Sequence, residues 1–296
     1  MKAIDKIKEV TAILSPCGIE SAEIEAELMI RYGLGIDPVK LYGKNPDLND
    51  DDELCIHQMV ARRTGREPLQ YIIGSVDFMS LKLEVGEGVL IPRPETELMA
   101  EQAINTVKNY RIEITNRDSL PVTRYPSLNI LDLCTGSGCL ALAIAKVFPE
   151  SEVIGCDNSE DALNMAKRNA GLNKVENVKF IRGDLLKAVS REGPFDMIIS
   201  NPPYIKTGDI NNLQAEVRDW EPLKALDGGV DGLDYYRIII PDAIQYLKNN
   251  GTVMFEHGDG QSDHIAMILN EAGFKEIEMI KDYSGKERII RARWTR

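Results

Sequence analysis

The chain has 296 residues, 43% hydrophobic and 28% charged, with a formal net charge of -12. That length carries roughly two domains and a sizeable core, and the acidic balance argues against a broad basic track for a phosphate backbone. Five scattered cysteines (Cys17, Cys55, Cys134, Cys139 and Cys156) with no C-x-x-C pair argue against a disulfide framework or a zinc site.

The start, Met1-Lys2-Ala3-Ile4-Asp5, leads into an amphipathic pattern without a signal h-region, and no apolar run approaches a membrane span. A cytoplasmic protein is expected. Ile4, Ile7, Val10, Ile13 and Leu14 recur at helical spacing. Ser21 with Ile24, Leu28 and Met29 opens a second amphipathic segment. Ser21 is its expected cap, Glu23 and Glu25 sit near the positive end of the dipole, and Gly33 and Gly35 end it. Asp50, Asp51, Asp52 and Glu53 begin a third helix running to about Arg63. Residues 1–74 are thus expected as a small helical domain, either a platform for a partner or an extension of the core.

Val76 to Leu83 alternates partly in the manner of strands and Gly86-Glu87-Gly88 reads as a turn, so residues 75–91 are expected as a β-hairpin linker. Pro92-Arg93-Pro94-Glu95-Thr96-Glu97 is a stiff entry to a helix that runs to about Lys108. Residues 109–127, with Pro121, Pro126 and no clear period, read as a loop. From Leu128 onward strands and helices alternate. Strands are expected at 128–133, 152–157, 178–182, 195–200 and 251–256, with two more at 275–281 and 287–293. Helices are expected near 139–148, 159–171, 234–248 and 261–272. Alternating βα units give an α/β fold, a doubly wound Rossmann-like sheet over residues 92–296.

Four strand ends carry candidate chemistry. Leu128 to Leu133 runs into Cys134-Thr135-Gly136-Ser137-Gly138, a glycine turn that either lets a ligand approach the backbone or serves a tight strand–helix turn. With Ala141 it satisfies G-x-G-x-x-A, so a dinucleotide enzyme is one reading. The next strand ends at Asp157, whose carboxylate can accept both hydroxyls of a ribose or cap the helix after it. Asp184 follows the third strand, placed for an adenine amino group or as a turn former. The fourth strand, Met197-Ile198-Ile199-Ser200, stops at Asn201-Pro202-Pro203-Tyr204 because prolines cannot continue a central strand. An isolated Asn-Pro-Pro is a turn. Below a glycine turn and two acids in this order, it reads as a stiff corner where Asn201 and the Pro202 carbonyl accept the N–H bonds of a planar NH₂ group, with Tyr204 as an aromatic face. A nicotinamide dehydrogenase has no use for that corner; a methyltransferase has. A scaffold without activity fits poorly with both motifs intact.

This set resembles a class I S-adenosylmethionine-dependent methyltransferase acting on a planar nitrogen. Arg66-Glu67-Pro68-Leu69-Gln70-Tyr71-Ile72-Ile73-Gly74, Leu90 to Glu97, Glu221 to Gly229, Asp231-Gly232-Leu233 and Glu256-His257-Gly258 are similar to the peptide chain release factor glutamine N5-methyltransferases, the HemK family. The similarity runs from about residue 60 to the end; the helical N-terminus matches in size and pattern. The resemblance implies that Cys134, Thr135, Gly136, Ser137 and Gly138 line the methionine end of S-adenosylmethionine, Asp157 binds ribose, and Asp184 and Leu185 flank adenine. It further implies that Asn201, Pro202, Pro203 and Tyr204 hold the glutamine of a Gly-Gly-Gln loop, and that Pro92 to Thr96 form a wall near the cofactor. Many relatives have a small residue at Cys134 and some an aromatic one at Leu185, which implies looser adenine packing here.

The expected reaction is in-line methyl transfer without a metal, with Asn201, Pro202 and Tyr204 as the catalytic residues. His257 is either a base or a packed residue. The main alternative is an adenine or cytosine amino-methyltransferase on DNA or RNA, which would share the corner but normally brings a basic face and a target-reading domain. An acidic chain suits a protein substrate with a positive surface, so release factors are the expected partners and no direct nucleic-acid contact is expected.

Overall fold

In the computed structural model, residues 1–118 and 127–295 are described, without side chains over 111–118. The chain divides into two compact units: Met1–Ser75 with Gln214–Trp220, and Val76–Leu213 with Glu221–Arg296. The hairpin therefore belongs to the second unit, and a short segment from far along the chain belongs to the first.

In the first unit, α1 (Ala3–Leu14) buries Ala3, Ile7, Val10 and Leu14, the i, i+4, i+7 stripe of an amphipathic helix. α2 (Ala22–Leu34) ends at Gly35, which adopts a left-handed conformation. The expected Ser21 cap is not made; its hydroxyl bonds the Glu25 carboxylate instead, 3.1 Å away. A short helix, α3 (Pro38–Lys44), starts at Pro38 with the Asp37 carboxylate accepting the Lys40 N–H. α4 (Asp50–Thr64) begins with a full capping box between Asn49 and Asp52, worth about 1 kcal/mol. α5 (Leu69–Ile73) buries Leu69, Tyr71 and Ile72. The short helices α3 and α5 had no periodic signal because one or two turns hold too few apolar positions.

In the second unit, β1 (Ser75–Phe78) and β2 (Leu81–Glu84) form a two-stranded sheet, β1 beginning at the last residue of the first unit. Its turn is at Met79-Ser80; Gly86-Glu87-Gly88 is a separate turn after it. α6 (Pro94–Asp118) is longer than expected: the helix continues past Lys108, and of the expected loop only residue 127 is described as such. Residues 119–126 lie outside the described residues. Then follow β3 (Asn129–Leu133), α7 (Cys139–Val147), β4 (Glu152–Asp157), α8 (Glu160–Asn173), β5 (Val178–Arg182) and β6 (Phe195–Ser200). After β6 the chain enters the segment of the first unit, with a helical turn, α9 (Ala215–Arg218). There the buried Arg63 pairs with Glu25 and with Glu216, and Arg66 pairs with Glu216 too. Removing one partner of such a buried set costs on the order of 3–5 kcal/mol, because a charge is left uncompensated.

The chain returns through α10 (Asp234–Tyr246), β7 (Leu247–Glu256), α11 (Ser262–Glu271), β8 (Lys275–Lys281) and β9 (Glu287–Arg293). The seven strands are ordered β5-β4-β3-β6-β7-β9-β8. β5 through β7 run parallel, and β9 is antiparallel to both β7 and β8. Burial of β6 on every residue accounts for its unbroken apolar run. α7 packs on one face beside α6, and α10 on the other through Tyr236, Ile239, Ile240 and Ala243. The order reverses between β3 and β6, the switch point where doubly wound sheets open a crevice.

Candidate active site

Sheet register builds the site. Leu133 pairs with Cys156 on one side and Ser200 on the other, and Ser200 pairs with Phe255. One residue further on, Asp157, Cys134, Asn201 and Glu256 therefore stand in a row across four parallel strand ends. A cavity of about 680 Å³ opens over this row, within the range of small-molecule sites. Cys134, Thr135, Gly136, Ser137, Asp157, Asp184, Leu185, Asn201 and Pro203 line it, together with Pro92, Arg93 and Thr96. Gly138, Pro202 and Tyr204 are not on the lining. Gly138 caps α7 from below, and Pro202 is buried. The expectation of Tyr204 as an open stacking face gives way to a half-buried ring off the cavity lining and packed against the core, its hydroxyl 3.5 Å from Glu256 Oε1.

The glycine turn is held from beneath. Asp132 Oδ2 accepts the Thr135 hydroxyl at 2.6 Å and the Ala141 N–H at 3.1 Å. Burial pushes the Asp132 carboxyl up to about 7. Asp157 accepts the N–H groups of Gly136 and Ser159, one on each oxygen, and keeps further lone pairs for a diol. The capping reading of Asp157 is thereby corrected: the cap of α8 is Ser159, whose hydroxyl accepts the Ala162 N–H at 3.2 Å, while Asp157 braces the turn before it and stands on the cavity wall. Gly136, at φ 55°, has no atom within 4 Å of where a Cβ would stand, which leaves its backbone open to the cavity. Cys134 and Leu185 also have positive φ, 59° and 46°, a conformation unfavourable for residues with a Cβ. Burial raises the Cys134 thiol far above neutrality, so it is no nucleophile.

On the other side of the cavity, Asn201 Nδ2 donates to Thr96 Oγ1 at 3.2 Å, and the Thr96 hydroxyl donates to Glu256 Oε2 at 2.8 Å. Burial raises Glu256 to about 7, against the pull of the Thr96 and Asn201 side chains. Arg93 pairs with the buried Glu221. The backbone after the prolines is pinned as well. The Ile205 N–H donates to Leu226, Gly228 donates back to Ile205, and Gln261 Nε2 donates to the Tyr204 carbonyl at 2.9 Å. His257 is buried behind the cavity with Nδ1 2.8 Å from the Gly258 carbonyl, and burial lowers its pKa, so it is a neutral packed residue.

Two family profiles match: a methyltransferase domain over residues 125–288 and a PrmC N-terminal domain over residues 5–74. Curated relatives extend over almost the whole chain. A release factor glutamine methyltransferase of Thermodesulfovibrio yellowstonii is 43% identical over 290 residues, 98% of this chain and 97% of the relative. The chain belongs to the release factor glutamine methyltransferase family.

A second member of that family, from Geobacter sulfurreducens, is 38% identical over 95% of this chain and 92% of its own length. A methyltransferase structure from Pyrococcus furiosus, 18% identical with a TM-score of 0.51 over 74% of this chain and 91% of that one, shares the fold alone. Membership makes S-adenosylmethionine the methyl donor and the chain a protein-(glutamine-N5) methyltransferase, and it disfavours the nucleic-acid alternative. Among the described residues, no helix is long and apolar enough to cross a membrane. The residues fit the cofactor: a cavity of nucleoside size, a glycine turn open to it, and a strand-end carboxylate with spare acceptor capacity.

The roles of Thr96 and Glu256 escaped the sequence reading. Both lay inside quoted runs, but 160 positions apart, and nothing local tells that they meet. Lys224, Ala225 and Tyr235 on the cavity wall were equally silent.

Proposed function

We propose that this enzyme methylates the side-chain amide nitrogen of the glutamine in the Gly-Gly-Gln loop of release factors, with Asn201 and Pro202 holding that amide. The observation carrying the assignment is the Asn201 carboxamide: its NH₂ is turned to Thr96, and the side chain lies on the cavity wall one strand from the glycine turn. Cys134 to Gly138 would hold the methionine end of the cofactor, Asp157 its ribose, and Asp184 and Leu185 its adenine. When bound, S-adenosylmethionine supplies a methyl carbon activated by a sulfonium leaving group.

An amide nitrogen is a weak nucleophile because its lone pair is delocalised, and no side chain here is basic enough to deprotonate it. Asn201 Oδ1 and the Pro202 carbonyl would accept its two N–H bonds, aim the nitrogen, and stabilise positive charge as it develops. Pro203 stiffens this corner, and Tyr204 backs it from the core. The helical unit is proposed as the platform for the release factor, since one loop offers little area for recognition. The enzyme would then work in the cytoplasm beside its substrate.

The test is transfer of labelled methyl from the cofactor to a purified release factor, with DNA and RNA offered in parallel. Label on the glutamine is the expected result; label on nucleic acid alone would overturn the reading. Asn201→Ala should lower kcat by at least about 100-fold, the scale of losing a transition-state hydrogen bond, while cofactor Kd stays within a few-fold. A variant with normal kcat would remove Asn201 from the role.

A further inference from the structure

Building on the proposed role of Asn201, we infer that Thr96 and Glu256 are positioning residues that select which end of the Asn201 carboxamide faces the acceptor amide. The substrate NH₂ has only donors to offer, so the corner works only if Asn201 presents oxygen rather than nitrogen. A carboxamide can turn over with almost no change in shape, so something must fix its sense.

The fixing runs through three side chains. An ionised Glu256 is acceptor-only, so the Thr96 hydroxyl at 2.8 Å must donate its single proton to it. Thr96 Oγ1 then has only lone pairs left, and these receive the Asn201 NH₂ at 3.2 Å. With its oxygen against Thr96 instead, Asn201 would face acceptor to acceptor. Tyr204 closes the other side of Glu256, its hydroxyl 3.5 Å from Oε1. The geometry thus turns Asn201 Oδ1 away from Thr96, and among the described residues that oxygen has no hydrogen-bond partner.

The same chain reverses on protonation. A neutral Glu256 donates to Thr96 Oγ1, the Thr96 proton swings to Asn201, and the carboxamide turns over to show nitrogen to the substrate. Glu256 is poised for this, since burial raises it to about 7. The charged and titratable groups around it act in both senses. Glu95 on α6, and Cys139 on α7, Tyr204 and Tyr236 if ionised, favour the protonated form, whereas Arg288 on β9 favours the anion. The Tyr236 hydroxyl meets the Glu256 backbone carbonyl, at 2.7 Å, rather than its carboxylate. His257, next in sequence, is held neutral.

The test uses the full-length enzyme with a purified release factor. Thr96→Val, nearly the same shape without donor or acceptor, should lower kcat at least tenfold, with cofactor Kd and release-factor KM within about twofold. Thr96→Ser, which keeps the hydroxyl, should restore kcat to within about threefold. Wild-type kcat should fall as pH drops through about 7, and Glu256→Gln, which cannot titrate, should lose that limb. A Thr96→Val enzyme with wild-type kcat, a Thr96→Ser enzyme as impaired as Thr96→Val, or an acid limb that persists in Glu256→Gln would each overturn the inference. Should Thr96→Val fail to fold, the Glu256→Gln pH profile decides alone. Wild-type methylation of the release factor is read first. Its absence would overturn the functional reading itself, whereas methylation unaltered by the variants overturns only the selecting role.

Discussion

Asp157 Oδ2 accepts the Gly136 N–H at 2.9 Å, tying the end of β4 to the glycine turn that follows β3. Two of the expected cofactor contacts are therefore one mechanical unit. Asp157→Asn puts an amide with a single acceptor oxygen where two backbone N–H groups point, and leaves one of them facing an NH₂. Stability should fall by about 1–3 kcal/mol from the unpaired donor, and cofactor Kd should rise by an order of magnitude or more. Titration calorimetry with S-adenosylhomocysteine reads the second effect. An unchanged Kd would show that the ribose is held elsewhere.

Gly232 lies against the backbone of the acceptor corner. A Cβ there would collide with the Tyr204 carbonyl oxygen, and its φ is 78°. Gly260 has a similar φ, 74°, but open space around it. Gly260→Ala should thus cost about 1 kcal/mol for backbone conformation alone. Gly232→Ala should cost more and also displace Tyr204 and the prolines, lowering kcat well over tenfold. Comparing kcat and melting temperature of the two variants separates strain from collision; equal effects would mean the contact is unimportant.

Two buried acids make stability depend on pH. Asp132 and Glu256 both have folded pKa values raised to about 7 by burial, against roughly 4 when unfolded. Between those values the folded state holds more protons than the unfolded one, so this stability is full below about pH 4 and is lost as pH rises through about 7. Each group is worth at most about 4 kcal/mol. The two tryptophans, Trp220 and Trp294, fall one in each unit, so Trp220→Phe leaves Trp294 to report the second. Its denaturation midpoint should fall from pH 5.5 to 8, and less steeply in Asp132→Asn. A midpoint that rises over this range would contradict the buried-acid account.

Much of the strand pattern was legible from residue types. β6 is an apolar run stopped by two prolines, and β4 and β9 fall at their expected bounds because strand burial imprints on sequence; β5 and β8 do so too, although no residue of either is buried. The extension of α6 past Lys108 was not legible, since the buried apolar residues of the helix run from Leu98 to Val107 and the sequence after Lys108 carries no apolar period. Ser21 shows the limit of capping statistics: a nearby carboxylate outcompeted the helix N–H groups for its hydroxyl.

By itself, the sequence determined the order of the strands and longer helices, the family, and four strand ends with candidate chemistry on them, since each depends on residues adjacent in the chain. Only the tertiary structure decided that Asp157, Cys134, Asn201 and Glu256 share one row, that Thr96 lies between Asn201 and Glu256, and that Glu216 pairs with Arg63. Those facts depend on strand register and on contacts across more than a hundred residues. They are set by how whole faces pack, which no local pattern of side chains encodes.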